Sequence, residues 1–455
     1  MTGPASYLLE RAWVDGAVVD DVLVTIEAGR FTGVTPGAGN SRLRHATAAQ
    51  KREFHRAPGE THRLPGLTLP GLANCHSHAF HRALRGRTQR GRGTFWTWRE
   101  EMYALAGRLD PDSCFALARA TYGEMAAAGI TSVGEFHYLH HQPDGTPYDD
   151  PNEMGHALVA AAREAGIRIA LLDTCYLSSG FGAPPRGAQV RYTDGDAERW
   201  AARVARLRPD DSTVVGAAIH SVRAVPDDQL RTVVEASAGR PLHVHVSEQT
   251  AENDDCVAAY GATPTQLLAD HGVLGPLTTA VHATHLTEDD VAHLGGTGTH
   301  ACLCPTTERD LGDGVGPSRH LRDAGSPLTL GSDSHAVVDL FEEMRAVELD
   351  ERLATRTRGH WAAAELLAAA TVTGHASLGF ADAGAIAVGQ RADLVTVDTA
   401  SPRTAGSGAD AHTAVFAATA ADVTHVVADG QVIYEQGDGT RVGHDLVTAI
   451  ERIWA

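Results

Sequence analysis

Short apolar runs recur along the middle of the chain at intervals that predict alternating strands and helices. Eight runs fit buried strands: GLTLPGLANCHSHAF, GITSVGEFHYLHH, IRIALLDTCY, VVGAAIHSVRAV, PLHVHVSEQ, TTAVHATHL, THACLCPTTE and SPLTLGSDSH. Several intervals between them carry helical periodicity, as in CFALARATYGEMAAAG and DDQLRTVVEASAG. Eight strand–helix units in about 300 residues predict an α/β chain built on a (β/α)8 barrel of the TIM type.

The two ends of the chain have a different pattern. SYLLERAWV and VLVTIEAGRFTGV near the start, and RADLVTVD and THVVADGQVIYEQG near the end, are short segments interrupted by turn residues. Such segments are typical of antiparallel strands. We therefore expect residues 1–68 and 379–455 to form a small β-sandwich together, with the barrel over residues 69–378.

Nearly every predicted barrel strand ends in a polar or ionisable residue. The carboxyl ends of barrel strands meet at one face, where active sites lie. Repeated polar endings therefore predict one convergent site at that face.

Three of these strand ends carry metal-ligand chemistry. His76 and His78 are two residues apart, so their side chains lie on the same side of the strand. His243 and His245 form a second such pair, in which one histidine can be structural, and Asp333 ends the eighth run. Histidines with a carboxylate suit Zn²⁺ or another divalent transition metal. The alternative is a set of unrelated polar residues, and the first pair alone does not exclude it.

Composition limits the partners and the chemistry. The chain has 38 Lys and Arg against 57 Asp and Glu, a formal net charge of −19, which disfavours nucleic acid or an anionic membrane as partner. Lys51 is its single lysine and lies in a polar stretch, so lysine chemistry is not expected. The six scattered cysteines, the absence of a signal-peptide pattern and the absence of an apolar run of ~18 residues predict a cytoplasmic protein without a membrane span.

The order of these motifs resembles that of the amidohydrolase superfamily of metal-dependent hydrolases and deaminases. HxH follows the first strand, HxxE the fifth, His the sixth and Asp the eighth, and a flanking β-sandwich is common in the superfamily. The resemblance implies four metal ligands: His76, His78, His245 and Asp333. It also implies that Glu248 and His282 act on protons and on the attacking water, with Asp333 accepting a proton from that water.

The fourth strand indicates the number of metals. Members with two metals usually carry a carboxylated lysine there, whereas this strand reads GAAIHSVRAV. His220 and Arg223 stand near the position where that lysine would be sought. We therefore expect one metal per chain, Zn²⁺ with Fe²⁺ as an alternative.

Other sequence motifs indicate one group of enzymes within the superfamily. FWTWRE, EFHY and AIHSVRAV, together with the ligand motifs, resemble the N-formimidoyl-L-glutamate deiminases of histidine degradation. Those enzymes hydrolyse N-formimidoyl-L-glutamate to N-formyl-L-glutamate and ammonia. The chain departs from them at His81, where they usually have Gln, and this puts the hydrogen bonding beside the ligands in doubt.

A small substrate with two carboxylates requires fixed cations. Bidentate arginine suits carboxylates well, and Arg223, with His220 beside it and Tyr138 at the second strand, can clamp them. The resemblance adds Arg99, from the same subunit or from the partner in an expected homodimer. By composition alone an arginine is more often a surface ion pair. Glu308 and Asp310 are left out of the site, because acidic groups repel a dianion.

Two other functions stay open at this point. A related aminohydrolase could act on a purine, pterin or triazine ring, although an aromatic content of 5% offers few stacking surfaces. A non-catalytic metal-binding or scaffold protein could use the same fold, since fold does not fix function. Ammonia release from N-formimidoyl-L-glutamate, compared with guanine and cytosine, separates these alternatives.

Overall fold

The computed structural model describes residues 5–38, 61–90, 93 and 95–455, and Lys51 lies outside them. The described strands are β1 (Ala5–Val14), β2 (Ala17–Glu27), β3 (Arg30–Thr35), β4 (Thr61–Pro70), β5 (Leu72–Ser77), β6 (Ile130–His137), β7 (Arg168–Cys175), β8 (Thr213–Ile219), β9 (Leu242–Val246), β10 (Thr278–His282), β11 (His300–Leu303), β12 (Leu328–Leu330), β13 (Leu394–Val397), β14 (Val423–Ala428) and β15 (Gln431–Glu435). The described α-helices are α1 (Phe95–Ala106), α2 (Pro111–Ala127), α3 (Glu153–Ala165), α4 (Ala197–Val204), α5 (Asp227–Ala236), α6 (Thr250–Tyr260), α7 (Pro264–Asp270), α8 (Glu288–Thr297), α9 (Pro305–Leu311), α10 (Ser318–Ala324), α11 (Leu340–Thr355), α12 (Ala363–Ala369), α13 (Val372–Ser377), α14 (Ala411–Phe416) and α15 (Gly439–Trp454). Short 3₁₀ helices cover Ala79–Leu84, Gly187–Tyr192 and Ala420–Asp422.

Strands β5 to β12 form the predicted barrel. They are parallel and pair in chain order, and a bridge between Ser77 and Asp333 brings β12 back to β5. Nearly every residue of these strands is buried, because side chains fill the inside and helices cover the outside. This explains why the strands appear in the sequence as continuous apolar runs, and it confirms the barrel.

The two ends of the chain share a second sheet, as expected. Its described strands lie in the order β15-β14-β13-β4-β1-β2-β3. The halves join where β4 pairs antiparallel with β13, for example at Thr68 and Thr396. The predicted domain boundaries after residues 68 and 378 stay predictions. In the structure β4 continues to Pro70, and β13 begins at Leu394.

A buried ion pair ties this sheet to the barrel. Arg168, at the start of β7, has a side chain only 1% exposed and forms salt bridges with Asp393 and Asp429. Asp393 precedes β13 and Asp429 follows β14. Because an unpaired charge is costly in a buried site, these three residues fix the barrel against the sheet.

Within the described ranges no helix combines the length and the apolarity needed to cross a bilayer.

Candidate active site

An open cavity lies at the carboxyl ends of the barrel strands. It is lined by residues from strand ends around the barrel and from α1, and these include most of the residues that the sequence singled out. They are His78, Tyr138, His220, Arg223, His245, Glu248, His282 and Asp333, with Arg99 from α1. The polar strand endings therefore converge on one site.

Four side chains form a compact cluster at the floor of this cavity: His76, His78, His245 and Asp333. One ligand atom from each lies within 4.8 Å of the other three. Nε2 of His76 is 3.1 Å from Nε2 of His245, and Oδ1 of Asp333 is 3.3 Å from Nε2 of both His76 and His78. All four residues are buried. The structure thus brings the four predicted ligands together.

The backbone at the barrel's closure places these ligands. Asn74 exchanges hydrogen bonds with Ser332: its amide nitrogen donates to Ser332 Oγ, and its amide oxygen accepts from the Ser332 backbone N–H. The backbone N–H of Asp333 donates to the carbonyl of His76. These bonds hold the end of β5 beside the end of β12, so that two ligating segments face each other.

Several residues at these strand ends adopt left-handed backbone conformations. Of the ten described non-glycine residues with positive φ, five lie at the ends of β9, β10 and β12: Ser247, His282, Ala283, Asp333 and His335. Such conformations cost energy in residues with a Cβ, and they concentrate at functional sites. The residues with strained backbone conformations therefore lie at the same face of the barrel as the cluster.

The donor set fits a divalent metal. Nδ1 of His78 contacts the carbonyl of Phe136 at 2.9 Å, and Nδ1 of His245 contacts the carbonyl of His220 at 2.8 Å. A carbonyl only accepts, so each Nδ1 carries the proton and each Nε2 directs a lone pair into the cluster. Burial also lowers the pKa of His78, to about 3, and favours the neutral imidazole that binds metals. Three imidazole nitrogens with one carboxylate suit Zn²⁺ or another divalent transition metal.

The structure separates the two histidines of the second pair. His245 belongs to the cluster, whereas His243, two residues further from the strand end, does not. Both lie on the same side of β9, so their depth in the barrel makes the difference.

Other ionisable side chains lie beside the cluster. Nε2 of His282 lies 3.9 Å from Oε1 of Glu248 and 3.9 Å from Oδ2 of Asp333. Burial by itself disfavours a charge on His282, but the surrounding carboxylates hold its pKa well above the usual range. Burial also raises the pKa of Glu248. The imidazole and both carboxylates can therefore reach one small molecule above the cluster.

Glu308 belongs to this group, although the sequence argument left it out. Its Oε1 lies 3.5 Å from Nδ1 of His282 and accepts a hydrogen bond from the backbone N–H of Cys304. Its position directly after the seventh strand was the available signal. Asp310, two residues later, is exposed and accepts hydrogen bonds from Gln89.

The remaining cavity wall carries arginine, tyrosine and histidine. Arg223 and His220 line it from the end of β8, and Tyr138 lines it from the end of β6. Arg99 lines the cavity of its own chain, and its Nε donates to Tyr103 Oη at 2.6 Å. The cavity is thus lined by two arginines together with the carboxylates of Glu248 and Asp333.

His81 joins this wall to the ligands. Its Nε2 lies 3.1 Å from the hydroxyl of Tyr138, and its ring centroid lies 4.6 Å from that of His78. The histidine therefore contacts both His78 of the cluster and a tyrosine of the cavity.

Residues 67–433 match the model of the amidohydrolase family. The chain belongs to the amidohydrolase family. This amidohydrolase is 38% identical over 392 residues to formimidoylglutamate deiminase of Pseudomonas aeruginosa, which covers 82% of the chain and 86% of that protein. It is also 30% identical over 375 residues to 5-methylthioadenosine/S-adenosylhomocysteine deaminase of Halobacterium salinarum, covering 81% of each chain.

Solved structures agree with this assignment. An amidohydrolase from Brucella melitensis superposes with a TM-score of 0.87 at 30% identity, over 99% of this chain and 100% of the other. Atrazine chlorohydrolase from Arthrobacter aurescens, complexed with zinc, superposes with a TM-score of 0.84 at 21% identity, over 98% and 100% of the two chains. At that identity the second similarity shows the fold alone. The protein is therefore an enzyme of a hydrolytic family, with a cluster that can hold a metal.

Proposed function

We propose that this amidohydrolase hydrolyses N-formimidoyl-L-glutamate to N-formyl-L-glutamate and ammonia. The observation that carries the proposal is the presence, in one cavity, of Arg99 and Arg223 together with His78, His245 and Asp333 of the cluster. Similarity to formimidoylglutamate deiminase over 82% of the chain supports it.

The charges of this substrate match the charged residues of the cavity. Its glutamate end carries two carboxylates, which suit the planar guanidinium groups of Arg99 and Arg223. Its other end is an amidine, which is a stronger base than an amine and carries a proton near neutral pH. We place that end beside Glu248, which lines the cavity, and beside His282, which Glu308 contacts. Acidic groups that would repel the carboxylates therefore suit the reacting group.

The metal belongs to the same proposal. His76, His78, His245 and Asp333 would hold one Zn²⁺ per chain, and Fe²⁺ fits the same donors. When bound, the metal would supply an acidified water as nucleophile near neutral pH. At the fourth strand, where a bridging lysine would hold a second metal, the chain has His220 instead.

The chain's own groups move the protons. Asp333 accepts a proton from the attacking water, while His282, held by Glu308, orients that water towards the formimidoyl carbon. The imino nitrogen enters already protonated, and addition of the water turns it into a neutral amino group. The carboxyl of Glu248 passes the proton that Asp333 took from the water to this amino group, as a general acid–base group does, and Asp333 then takes the hydroxyl proton as the formyl C=O forms. A C–O bond forms and the C–NH₂ bond breaks, which leaves a formyl group and ammonia.

Ammonia release tests the proposal directly. The zinc-loaded enzyme is assayed with N-formimidoyl-L-glutamate, N-methylformamidine, 5′-methylthioadenosine and 8-oxoguanine at equal concentrations. We expect kcat/KM to be highest for the first compound and to fall strongly for N-methylformamidine, which lacks both carboxylates. Preferred deamination of a ring, as the name of the Halobacterium relative implies for that protein, would overturn the proposal.

We further propose that the enzyme is a homodimer. Light scattering of the purified chain checks this, and a monomer with full activity would contradict it.

A further inference from the structure

We propose that Glu252 is a positioning residue that holds Arg223 in the orientation required for a substrate carboxylate. This inference rests on the proposed function, because it concerns the anionic end of the substrate. It assigns a role to a buried carboxylate that the proposed chemistry does not use.

Glu252 lies behind the cavity wall. It is in the first turn of α6, four residues after Glu248, which precedes the helix, and its side chain is 1% exposed. Its Oε1 lies 3.6 Å from Nε of Arg223, and neither carboxylate oxygen has a side-chain hydrogen-bond partner among the described residues. Glu252 does not line the cavity, whereas Arg223 does. Any effect of Glu252 on the substrate therefore passes through Arg223.

The geometry fixes which edge of the guanidinium faces the cavity. Nε of Arg223 is buried and faces Glu252, while the side chain as a whole is 19% exposed. The hydroxyl of Ser178 donates to the backbone carbonyl of Arg223 at 2.9 Å and holds the backbone at this point. With Nε turned away, the pair of terminal nitrogens is left for a two-pronged contact with a carboxylate.

The charge balance favours this pairing. A buried carboxylate without a counter-charge is costly, and so is a buried guanidinium. Glu252 is the carboxylate that pairs with Arg223, whereas Glu248 lies 3.9 Å from His282. Removing the charge of Glu252 therefore acts directly on Arg223.

A double-mutant cycle tests the pairing in the zinc-loaded enzyme. The variants are Glu252→Gln, Arg223→Met and both together, with Asp254→Asn as control, because Asp254 is an exposed acidic residue on the same helix. For N-formimidoyl-L-glutamate we expect Glu252→Gln to raise KM about tenfold, the lower end of what a charge-assisted hydrogen bond supplies. We expect kcat and metal content to stay near wild type. In the Arg223→Met background, Glu252→Gln should change kcat/KM no further.

A substrate without carboxylates sharpens the test. For N-methylformamidine, Glu252→Gln and the wild type should have equal kcat/KM. Losses that add in the double variant, or an equal loss with N-methylformamidine, would overturn the positioning role and leave Glu252 as a structural residue.

Thermal unfolding of the same four proteins separates this inference from the proposed function, because it needs no substrate. Each single variant leaves one buried charge unpaired, so we expect the double variant to lose less stability than the two single losses combined. Additive losses would refute the pair. A wild type that does not turn over N-formimidoyl-L-glutamate, together with non-additive unfolding, would refute the proposed function and leave the pair intact.

Discussion

Replacing Glu248 by Gln tests whether this residue transfers protons or binds the metal. The substitution keeps the size of the side chain and removes its ability to exchange a proton. Glu248 lies outside the cluster of four ligands, and its nearest described ion-pair partner is His282, at 3.9 Å. We therefore expect the fold and the metal content to remain while turnover falls. A general acid–base group contributes about 10²–10⁴-fold, which corresponds to about 3–5 kcal/mol of activation free energy.

The assay measures kcat for ammonia release together with metal content by elemental analysis and the circular dichroism spectrum. Asp310→Asn is the matched control, because it also removes one negative charge from this side of the barrel but acts on an exposed residue that contacts Gln89. The control should keep kcat within about twofold, as substitutions at exposed positions usually do little. A metal-free Glu248→Gln protein would make Glu248 a ligand. A variant with normal kcat would remove it from proton transfer.

The remaining predictions concern the metal, the substrate and the fold. Purified protein should hold about one metal per chain, and chelation should abolish activity that added Zn²⁺ restores; two tightly bound metals, both needed for turnover, would contradict this. Arg223→Met should keep the metal but lower kcat/KM for N-formimidoyl-L-glutamate by roughly ten- to a hundredfold, with partial rescue by Arg223→Lys; near-normal kinetics would defeat the clamp. Arg168→Met should lower the free energy of unfolding by about 3–5 kcal/mol, because it leaves Asp393 buried without its counter-charge; denaturant titration measures this, and a loss below about 1 kcal/mol would show that the pair matters little.

The barrel could be predicted because its strands are buried on both faces. Parallel strands covered by helices appear as continuous apolar runs, and all eight runs became strands β5 to β12. The arrangement of the second sheet could not be predicted. Thr68 and Thr396 pair across more than three hundred residues of chain. The alternation of apolar and polar residues along a strand shows which face is buried. It does not identify the strand that pairs with it when that strand is far away in the sequence.

The four residues of the cluster could be predicted from spacing, but their depth in the barrel could not. His243 and His245 have the same alternation, and only the distance from the strand end separates the histidine in the cluster from the one outside it. The burial of Glu252 could not be predicted either. It lies in a helix beside acidic residues that remain exposed, and its partner Arg223 follows a different strand.

Charge repulsion excludes Glu308 only from the part of the cavity that binds the carboxylates of the proposed substrate. Two carboxylates argue against an acidic pocket only where they bind, and the amidine at the other end of the molecule is a cation. In the structure Glu308 contacts His282, which lines the cavity, as Arg99 and Arg223 do. A net charge of −19 is therefore compatible with a substrate that carries two carboxylates, because the two arginines supply positive charge inside the cavity, opposite in sign to the protein as a whole.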